Sequence, residues 1–240
     1  SGIFTSRDTA AAHLDGGAPF VVVSAPCTGA DNTFVVGVNE DTFDPTKEKV
    51  VSNASCTTNC FVPMVKVLDD VFGVKQGLMT TIHAYTGDQQ LVDGPHSDLR
   101  RARGAAINIV PTSTGAARAT GLVLQAMQGK LDGTSLRVPI PTGSITDFTA
   151  VVNGEPTVDE VNAAFAAAAS SGRLAGVLEY TEEPIVSSDI VTSPASCTLD
   201  AGMTMTQGSL VKIFGWYDNE WGYSNRLVEM ALIVGAANKG

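Results

Sequence analysis

The stretch Ser52-Asn53-Ala54-Ser55-Cys56-Thr57-Thr58-Asn59-Cys60 decides how this sequence folds around its chemistry. Polar residues followed by an apolar run predict the N-terminus of a helix, with Cys56 in its first turn. Free N–H groups and the helix dipole stabilise negative charge there, so we expect a lowered thiol pKa, a nucleophile and donors for an oxyanion. Cys60, one turn later, is expected to lie deeper and to be inert. The alternative is that both are buried structural cysteines, which is common for free cysteine.

A histidine favours the first interpretation, because a cysteine nucleophile needs a base that takes and returns its proton. His83 ends a predicted strand and precedes a polar turn, whereas His13 and His96 are interpreted as structural. No pair of histidines or cysteines has the spacing of a zinc site, so no metal site is predicted.

Length and composition limit the class of protein. The chain has 240 residues, 44% apolar and 17% charged, which is typical of a folded, mixed α/β protein. Its net charge of −10 argues against binding to nucleic acid or to an anionic membrane surface. No transmembrane run and no signal peptide are visible, and four cysteines do not make a disulfide framework. We therefore expect a cytoplasmic protein.

Basic residues are concentrated in one part of this acidic chain. Between residues 96 and 139 there are six basic residues and only two acidic ones. The cluster is either a loop with solvated charges or a pocket for a small anion such as phosphate, for which arginine is well suited.

The pattern of apolar and polar residues predicts a chain of alternating strands and helices. Strands are expected at 20–26, 33–38, 50–51, 77–85, 136–140, 145–152, 177–180, 196–199 and 210–216. Helices are expected at 55–72, 114–127, 157–169 and 219–237. The segment 86–111 is expected to be a long loop, and such loops are usually functional.

Individual residues refine the predicted helices. Pro63 should kink the first helix or end its first turns. Thr157 and Glu160 form a capping box at the start of the third helix. The buried stripe of the last helix is expected to be Leu227, Met230, Ala231 and Val234.

Five motifs carry a resemblance to a known family. They are the cysteine stretch quoted above, His83-Ala-Tyr-Thr86, Asp98-Leu-Arg-Arg-Ala-Arg103, Pro111-Thr-Ser-Thr114-Gly115-Ala-Ala and Trp216-Tyr-Asp-Asn219-Glu-Trp-Gly-Tyr223-Ser. Together, and in this order, they resemble the phosphorylating glyceraldehyde-3-phosphate dehydrogenase family over essentially the whole chain. The resemblance implies an α/β fold: an α+β catalytic domain with a mostly antiparallel sheet flanked by helices, plus the remnant of a Rossmann-type parallel sheet.

The resemblance also implies a role for each matching residue. Cys56 would attack the aldehyde, with His83 as general base, and would form a thioester that inorganic phosphate cleaves to an acyl phosphate. The substrate's own phosphate would bind Thr86, Arg101 and Arg137, although the choice of Arg101 over Arg103 depends on a loop of variable length. Inorganic phosphate would bind Ser55, Thr57, Thr114 and Gly115. The nicotinamide would bind Asn219, with Tyr223 nearby, and the segment 86–111 resembles the family's long loop at subunit contacts.

The sequence departs from the family in one respect. A dinucleotide-binding domain should contain a Gly-x-Gly-x-x-Gly turn between a strand and a helix, and this sequence has none. We therefore expect residues 1–53 to be the end of that domain, 54–217 the catalytic domain, and 218–240 a helix that returns to the first. The expected cofactor is NAD, with NADP left open, and neither is expected to bind productively to these 240 residues alone.

Two alternatives remain open from the sequence. A relative in the same family oxidises erythrose 4-phosphate, and the motifs barely separate the two substrates. A non-catalytic binding or surface-interaction role would require neither thiol reactivity at Cys56 nor a contribution from His83. The expected partners are glyceraldehyde 3-phosphate and inorganic phosphate, with no nucleic acid and no membrane, and the full-length enzyme is expected to be a homotetramer.

Overall fold

The computed structural model describes residues 2–237, so the first residue of the predicted 1–53 segment and the last three of 218–240 lie outside the described residues. The helices are α1 (Arg7–Ala10), α2 (Ala12–Asp15), α3 (Cys56–Phe72), α4 (Ala116–Val123), α5 (Val158–Ser170) and α6 (Trp221–Ala236). The strands are β1 (Val21–Val23), β2 (Asn32–Thr33), β3 (Val50–Ser52), β4 (Val74–Ala84), β5 (Val110–Ser113), β6 (Leu131–Val138), β7 (Ser144–Val152), β8 (Leu178–Thr181), β9 (Cys197–Asp200), β10 (Met205–Gln207) and β11 (Leu210–Tyr217). Within residues 2–237, no helix combines the length and the apolar character needed to cross a lipid bilayer.

The strands form two sheets of different type. The large sheet has the order β5-β6-β4-β7-β11-β9-β8, with β10 paired to β11. Its pairs are antiparallel except for β4 with β6 and β8 with β9. The small sheet, β1-β3-β2, is entirely parallel. The predicted fold class, a mostly antiparallel sheet with helices and a small parallel sheet, is confirmed.

Helix α3 packs on the large sheet and forms the centre of the main core. Phe61 meets Phe148 of β7 edge to face, with ring centroids 4.7 Å apart. Met64 and Leu68 of the same helix are fully buried with Ile213 of β11. The helix runs unbroken from Cys56 to Phe72 through Pro63. It therefore carries its first residue to the edge of a rigid core.

Helix α6 packs against the small sheet, but its buried face differs from the prediction. Met230 and Val234 are buried with Phe34 and Val51, as expected, whereas Ala231 is exposed and Leu227 is only half-buried. The buried face instead includes Arg226, which hydrogen-bonds Glu229 at 2.5 Å. A buried arginine is invisible to a pattern of apolar residues, so the prediction named Leu227 where the neighbouring Arg226 is buried.

Two strands of the large sheet differ from the prediction for local reasons. β5 begins at the end of the segment 86–111, which was predicted to be a loop; it is an edge strand, where Pro111 is tolerated. β6 begins at Leu131 rather than at 136. Its early part contains Gly133, where a Cβ would lie 2.5 Å from the carbonyl oxygen of Met79. Glycine is required there by close approach to β4, not by strand propensity.

The remaining differences concern element ends and small elements. α4 ends at Val123 rather than at 127, because Leu124 adopts an extended backbone before a 3₁₀ turn that buries Met127 in the core. The predicted strand at 33–38 is a strand only at Asn32–Thr33, followed by a buried turn. Helices α1 and α2 and strand β10 were not predicted.

We expect Gly215→Ala to destabilise the fold by about 1–3 kcal/mol, the usual cost of overpacking a core. A Cβ at this position would lie 2.6 Å from both Cys197 Sγ and Met64 Sδ. The matched control is Gly235→Ala in α6, where no atom lies within 4 Å of the added Cβ and where alanine should stabilise the helix by about 0.5–1 kcal/mol. Urea unfolding midpoints measure both effects, and equal midpoints for the two variants would contradict this account of the core.

Candidate active site

The N-terminus of α3 is fixed by a tight turn after β3. Ser55 is the N-cap and its Oγ accepts a hydrogen bond from the Thr58 N–H at 3.1 Å. Ala54 has a left-handed backbone with φ of 56°, which costs a non-glycine residue on the order of 1–2 kcal/mol. Its N–H donates to Ser52 Oγ at 3.0 Å, and its carbonyl accepts from the Tyr223 hydroxyl at 3.0 Å. These bonds hold the strained turn and therefore the first residue of the helix.

Cys56 and His83 face each other across the end of the large sheet. Cys56 Sγ lies 3.4 Å from His83 Nε2, and His83 Nδ1 lies 2.7 Å from the carbonyl oxygen of Ala84. Because a carbonyl only accepts, Nδ1 carries the proton and Nε2 presents its lone pair to the thiol. This is the tautomer that a base for Cys56 requires.

Arg137 lies beside His83, in register with it on the parallel strand β6. One terminal nitrogen of its guanidinium is 3.0 Å from His83 Nδ1, and it donates to the Ala84 carbonyl at 3.2 Å and to Thr86 Oγ1 at 3.4 Å. The Nε atom is buried without a hydrogen-bond partner, and no carboxylate of residues 2–237 forms an ion pair with this arginine. Its positive charge is therefore available to an anion.

Burial and Arg137 set the protonation of the pair. Burial raises the pKa of the Cys56 thiol to about 11, although the Arg137 charge and a hydrogen bond from the Thr57 N–H oppose this. Burial, followed by the charge of Arg137, lowers the pKa of His83 to about 4. The expectation of a lowered thiol pKa is therefore wrong, because desolvation outweighs the Arg137 charge and the hydrogen bonds of Thr57. At neutral pH the pair is a thiol beside a neutral imidazole.

The two candidate arginines of the 86–111 loop differ in placement. Arg101 donates to Asp88 at 2.5 Å and to Thr112 at 2.8 Å, and its charge contributes to lowering the pKa of both His83 and Arg137. Arg103 pairs with Asp93 at 2.9 Å and its side chain is 63% exposed. Of the two, Arg101 is the one whose charge reaches the Cys56–His83 pair.

The residues predicted to bind inorganic phosphate lie at the starts of α3 and α4. Ser55 and Thr57 flank Cys56, and the Thr57 hydroxyl is 2.9 Å from the hydroxyl of Tyr217. Thr114 Oγ1 accepts from the Ala116 N–H at 3.2 Å, and Gly115 is the N-cap of α4. Helices α3 and α4 are packed together, and Arg101 reaches this second terminus by a bond of 3.2 Å to the Ser113 carbonyl. Among the described residues, no direct hydrogen bond joins Thr114 or Gly115 to the Cys56–His83 pair.

Asn219, which precedes α6, is held in one orientation. Its Oδ1 accepts hydrogen bonds from the Gly143 N–H at 3.2 Å and from Ser144 Oγ at 2.9 Å. Its Nδ2 contacts Glu220 Oε1 at 3.3 Å. Tyr223 is tied to the turn before α3 through the Ala54 carbonyl. The two residues predicted at the nicotinamide are thus connected to His83 and Cys56 by short hydrogen-bonded paths.

Two residues of the site were not singled out from the sequence. Tyr217 is buried at the end of β11; its hydroxyl is 2.7 Å from Thr81 Oγ1, and its ring lies edge-on to His83 with centroids 5.9 Å apart. Ser144 at the start of β7 accepts a bond from the Ala84 N–H at 3.1 Å. Tyr217 belongs to the motif that begins at Trp216, but the residues around it in the sequence do not indicate its contact with His83.

The other histidines lie away from this pair. His13 packs edge-on against Phe4, with ring centroids 4.7 Å apart. His96 accepts a bond from the Asp98 N–H at 2.8 Å and is 3.4 Å from Asp88. Over residues 2–237, histidine, cysteine and carboxylate side chains form no cluster of three or more that could hold a metal ion.

Comparison with known proteins gives a consistent result. Residues 55–219 match the family model described as glyceraldehyde 3-phosphate dehydrogenase, C-terminal domain. The glyceraldehyde-3-phosphate dehydrogenase 2 of Streptomyces avermitilis is 62% identical over 236 residues, covering 98% of this chain and 70% of its own length. Glyceraldehyde-3-phosphate dehydrogenases of Streptomyces coelicolor and Mycobacterium tuberculosis are each 60% identical, covering 98% of this chain and 70% and 69% of their own. The family predicted from the five motifs is confirmed.

We expect iodoacetamide to label Cys56 faster than the other three cysteines at neutral pH. Cys60 and Cys197 are fully buried, and Cys27 lacks a base in contact such as His83 provides for Cys56. Because the Cys56 pKa is about 11, its rate should still be rising at pH 9. Peptide mapping after limited labelling measures the four rates.

Two variants separate the groups that act on this thiol. His83→Asn removes the base and should slow labelling of Cys56. Arg137→Met removes a charge that lowers the thiol pKa, so labelling at neutral pH should fall about tenfold, the effect of one pKa unit. Equal labelling of all four cysteines in the unmodified chain would exclude an activated Cys56.

Proposed function

Because the chain belongs to the glyceraldehyde-3-phosphate dehydrogenase family, we propose that it carries the catalytic machinery that oxidises glyceraldehyde 3-phosphate to 1,3-bisphosphoglycerate. The proposed route is a thioester at Cys56, hydride transfer to NAD and phosphorolysis, as an oxidoreductase of glycolysis. The observation that carries the proposal is the 3.4 Å contact of Cys56 Sγ with the unprotonated Nε2 of His83.

The first step uses the neutral pair that burial maintains. His83 Nε2 takes the thiol proton as Cys56 Sγ attacks the aldehyde carbon, and it returns this proton to the aldehyde oxygen to give a hemithioacetal. Ser55 caps the Thr58 N–H, which leaves the N–H groups of Cys56 and Thr57 without helical acceptors. These groups and the start of α3 stabilise negative charge that develops on the oxygen.

The second step needs the same nitrogen as a base. His83 Nε2 takes the hemithioacetal hydroxyl proton as hydride leaves the carbon, and a thioester forms at Cys56. NAD, when bound, supplies the acceptor for the hydride. Inorganic phosphate then attacks the thioester carbon, the carbon–sulfur bond breaks, and His83 reprotonates the departing Cys56 thiolate.

We assign the substrate's own phosphate to Thr86, Arg101 and Arg137. Arg137 supports this because its charge has no acidic partner among residues 2–237 and its buried Nε has no acceptor. Thr86 Oγ1 contacts the same guanidinium at 3.4 Å. Arg101 is oriented by Asp88 and Thr112 and adds a second positive charge. Two arginines suit a dianionic group better than one.

We assign the attacking phosphate to Ser55, Thr57, Thr114 and Gly115. Helix N-termini bind anions through free N–H groups, and these residues belong to the starts of α3 and α4. If the Thr57 hydroxyl accepts from Tyr217, its own proton is left for the anion. The chain as a whole is acidic and repels anions. Anionic reactants are therefore attracted mainly to this local concentration of N–H donors and arginines.

We assign the nicotinamide end of NAD to Asn219 and Tyr223, beside the Cys56–His83 pair. Asn219 presents its Nδ2 amide, a donor for the carboxamide oxygen, because its Oδ1 is already occupied by two donors. A cleft lined by Pro26, Cys27, Ser52, Ala54 and Leu122 adjoins the start of α3, and Tyr223 holds the Ala54 carbonyl at its edge. The residues that distinguish NAD from NADP are not among those assigned, so NADP stays open.

We further propose that residues 1–53 belong to the dinucleotide-binding domain, 54–217 to the catalytic domain, and 218–240 to a helix that returns to the first. The packing of α6 on the small sheet through Met230 and Val234 supports this division. We also propose a cytoplasmic homotetramer. The face of the large sheet opposite α3 supports self-association, since it exposes Leu78 and Leu210 around an open cleft.

We expect the 240-residue polypeptide alone to cleave p-nitrophenyl acetate but to form no NADH from glyceraldehyde 3-phosphate. Ester cleavage needs only Cys56, His83 and the oxyanion donors. Hydride transfer needs the nicotinamide within about 3–3.5 Å of the reacting carbon. One hydrogen bond from Asn219 contributes only about 0.5–1.5 kcal/mol toward that position, and this sequence contains no glycine-rich turn for the pyrophosphate.

Both assays are run beside Cys56→Ser, which should abolish the esterase activity. Esterase activity that survives in Cys56→Ser would exclude this residue as the nucleophile. Robust NADH formation by the purified polypeptide would contradict the expectation that these residues alone do not hold NAD productively.

We expect Arg101→Leu to weaken phosphate binding by about 2–4 kcal/mol, the cost of removing one partner from a desolvated charge pair. Arg103→Leu is the matched control, because Arg103 is exposed and paired with Asp93, and it should leave binding unchanged. Protection of Cys56 from iodoacetamide by increasing concentrations of glycerol 3-phosphate, a phosphate monoester without the aldehyde, measures both variants. A larger effect in Arg103→Leu would assign the substrate's phosphate to Arg103 instead of Arg101.

A further inference from the structure

Ser144 is a buried hydroxyl between two parts of the site. It is the first residue of β7 and is 1% exposed. Its Oγ accepts a hydrogen bond from the Ala84 N–H at 3.1 Å and contacts Asn219 Oδ1 at 2.9 Å. The carbonyl of the same Ala84 accepts the bond from His83 Nδ1 at 2.7 Å. One side chain therefore connects the residue that holds His83 with the residue assigned to the nicotinamide.

The direction of each bond follows from its partners. An amide N–H can only donate, so Ser144 Oγ accepts from Ala84 and has its own proton left for Asn219. The Gly143 N–H donates to the same atom of Asn219 at 3.2 Å. An atom that receives two donors must be the oxygen, so the Asn219 amide cannot rotate by half a turn without losing both bonds. Its Nδ2 group is thereby turned away from β7.

We propose that Ser144 is a positioning residue that sets the Asn219 amide as a donor and holds the Ala84 peptide that orients His83. The proposal rests on the roles of Asn219 and His83 in the proposed function. A ligand that meets Asn219 must then present an acceptor, such as the carbonyl oxygen of a carboxamide. At the other end, the Ala84 carbonyl keeps the proton on Nδ1 and leaves Nε2 free for Cys56.

Only a small side chain that both donates and accepts can do this at a site without solvent. Alanine would leave the buried Ala84 N–H without a partner and one lone pair of Asn219 empty. The groups that face His83 are Cys56 from α3, Arg137 from β6 and Tyr217 from β11, with the charge of Arg101 farther away. Ser144 is paired with Tyr217 in the register of β7 and β11, but within residues 2–237 its hydroxyl bonds only Ala84 and Asn219, so loss of the hydroxyl acts on His83 through Ala84.

The test compares Ser144→Ala with Ser135→Ala in the 240-residue chain. Ser135 is similarly buried, on strand β6 of the same sheet, and its hydroxyl has no hydrogen-bond partner. The first readout is the iodoacetamide labelling rate of Cys56 against pH. Ser144→Ala should label about three- to tenfold more slowly at neutral pH, the factor that one buried hydrogen bond represents, with the profile displaced to higher pH. Ser135→Ala should match the unmodified chain.

The second readout is the side-chain amide signal of Asn219 in a ¹H–¹⁵N spectrum, assigned by its loss in Asn219→Ala. It should be a sharp pair in the unmodified chain and in Ser135→Ala, and shifted or broadened in Ser144→Ala. Ser144→Thr, which keeps the hydroxyl, should restore both readouts toward those of the unmodified chain.

Unchanged labelling and an unchanged Asn219 signal in Ser144→Ala would overturn the proposal, as would equal losses in the two Ser→Ala variants. If Ser144→Ala does not fold, Ser144→Cys retains a similar volume but hydrogen-bonds only weakly, and it should slow labelling of the Cys56 peptide; an unchanged rate in it would also overturn the proposal. Esterase activity that is insensitive to Cys56→Ser would instead refute the proposed function, whatever Ser144 does.

Discussion

The hydrogen bond from His83 Nδ1 to the Ala84 carbonyl determines what the rest of the site can do. At 2.7 Å it fixes the proton on the far side of the ring and turns the lone pair of Nε2 toward Cys56. Without it, the guanidinium 3.0 Å from Nδ1 would favour the opposite tautomer, with the proton between histidine and sulfur. Arg137 donates to the same carbonyl instead, so the arginine adds charge to the site without taking the base from the thiol.

The mixed pairing of β4 is what assembles this arrangement. The parallel pairing with β6 brings Arg137 beside His83, and the antiparallel pairing with β7 brings Ser144 to the Ala84 N–H. A slip of one residue in either pairing would turn the corresponding side chain to the opposite face of the sheet. Gly133 permits the close approach of β6 to β4, so a residue far from the chemistry helps to set the register on which the site depends.

Sequence reasoning identified the features that a few adjacent residues determine, and it missed the contacts that depend on strand pairing in the large sheet. Ser55 and Cys56 are recognisable because a few adjacent residues determine a helix N-terminus. The capping box of Thr157 and Glu160 is also present as predicted. Tyr217 contacts Thr57 across 160 positions and Thr81 across 136, and no local pattern encodes such a pairing. The sign of the thiol pKa shift was wrong for a related reason, since the helix terminus is visible in sequence and the depth of burial is not.

Burial shifts the pKa values of Cys56 and His83 in opposite directions, whereas positive charge shifts both in the same direction, and this difference determines how the site responds to anions. Desolvation raises the pKa of Cys56 and lowers that of His83, so both are neutral, whereas Arg137 lowers both. A phosphate bound at Arg137 would offset that charge and raise both pKa values together. The second step, in which His83 takes the hemithioacetal hydroxyl proton, would then be favoured, because a base with a higher pKa accepts a proton more readily. An arginine shared between the substrate's phosphate and the base therefore links occupancy of the anion site to the strength of the base.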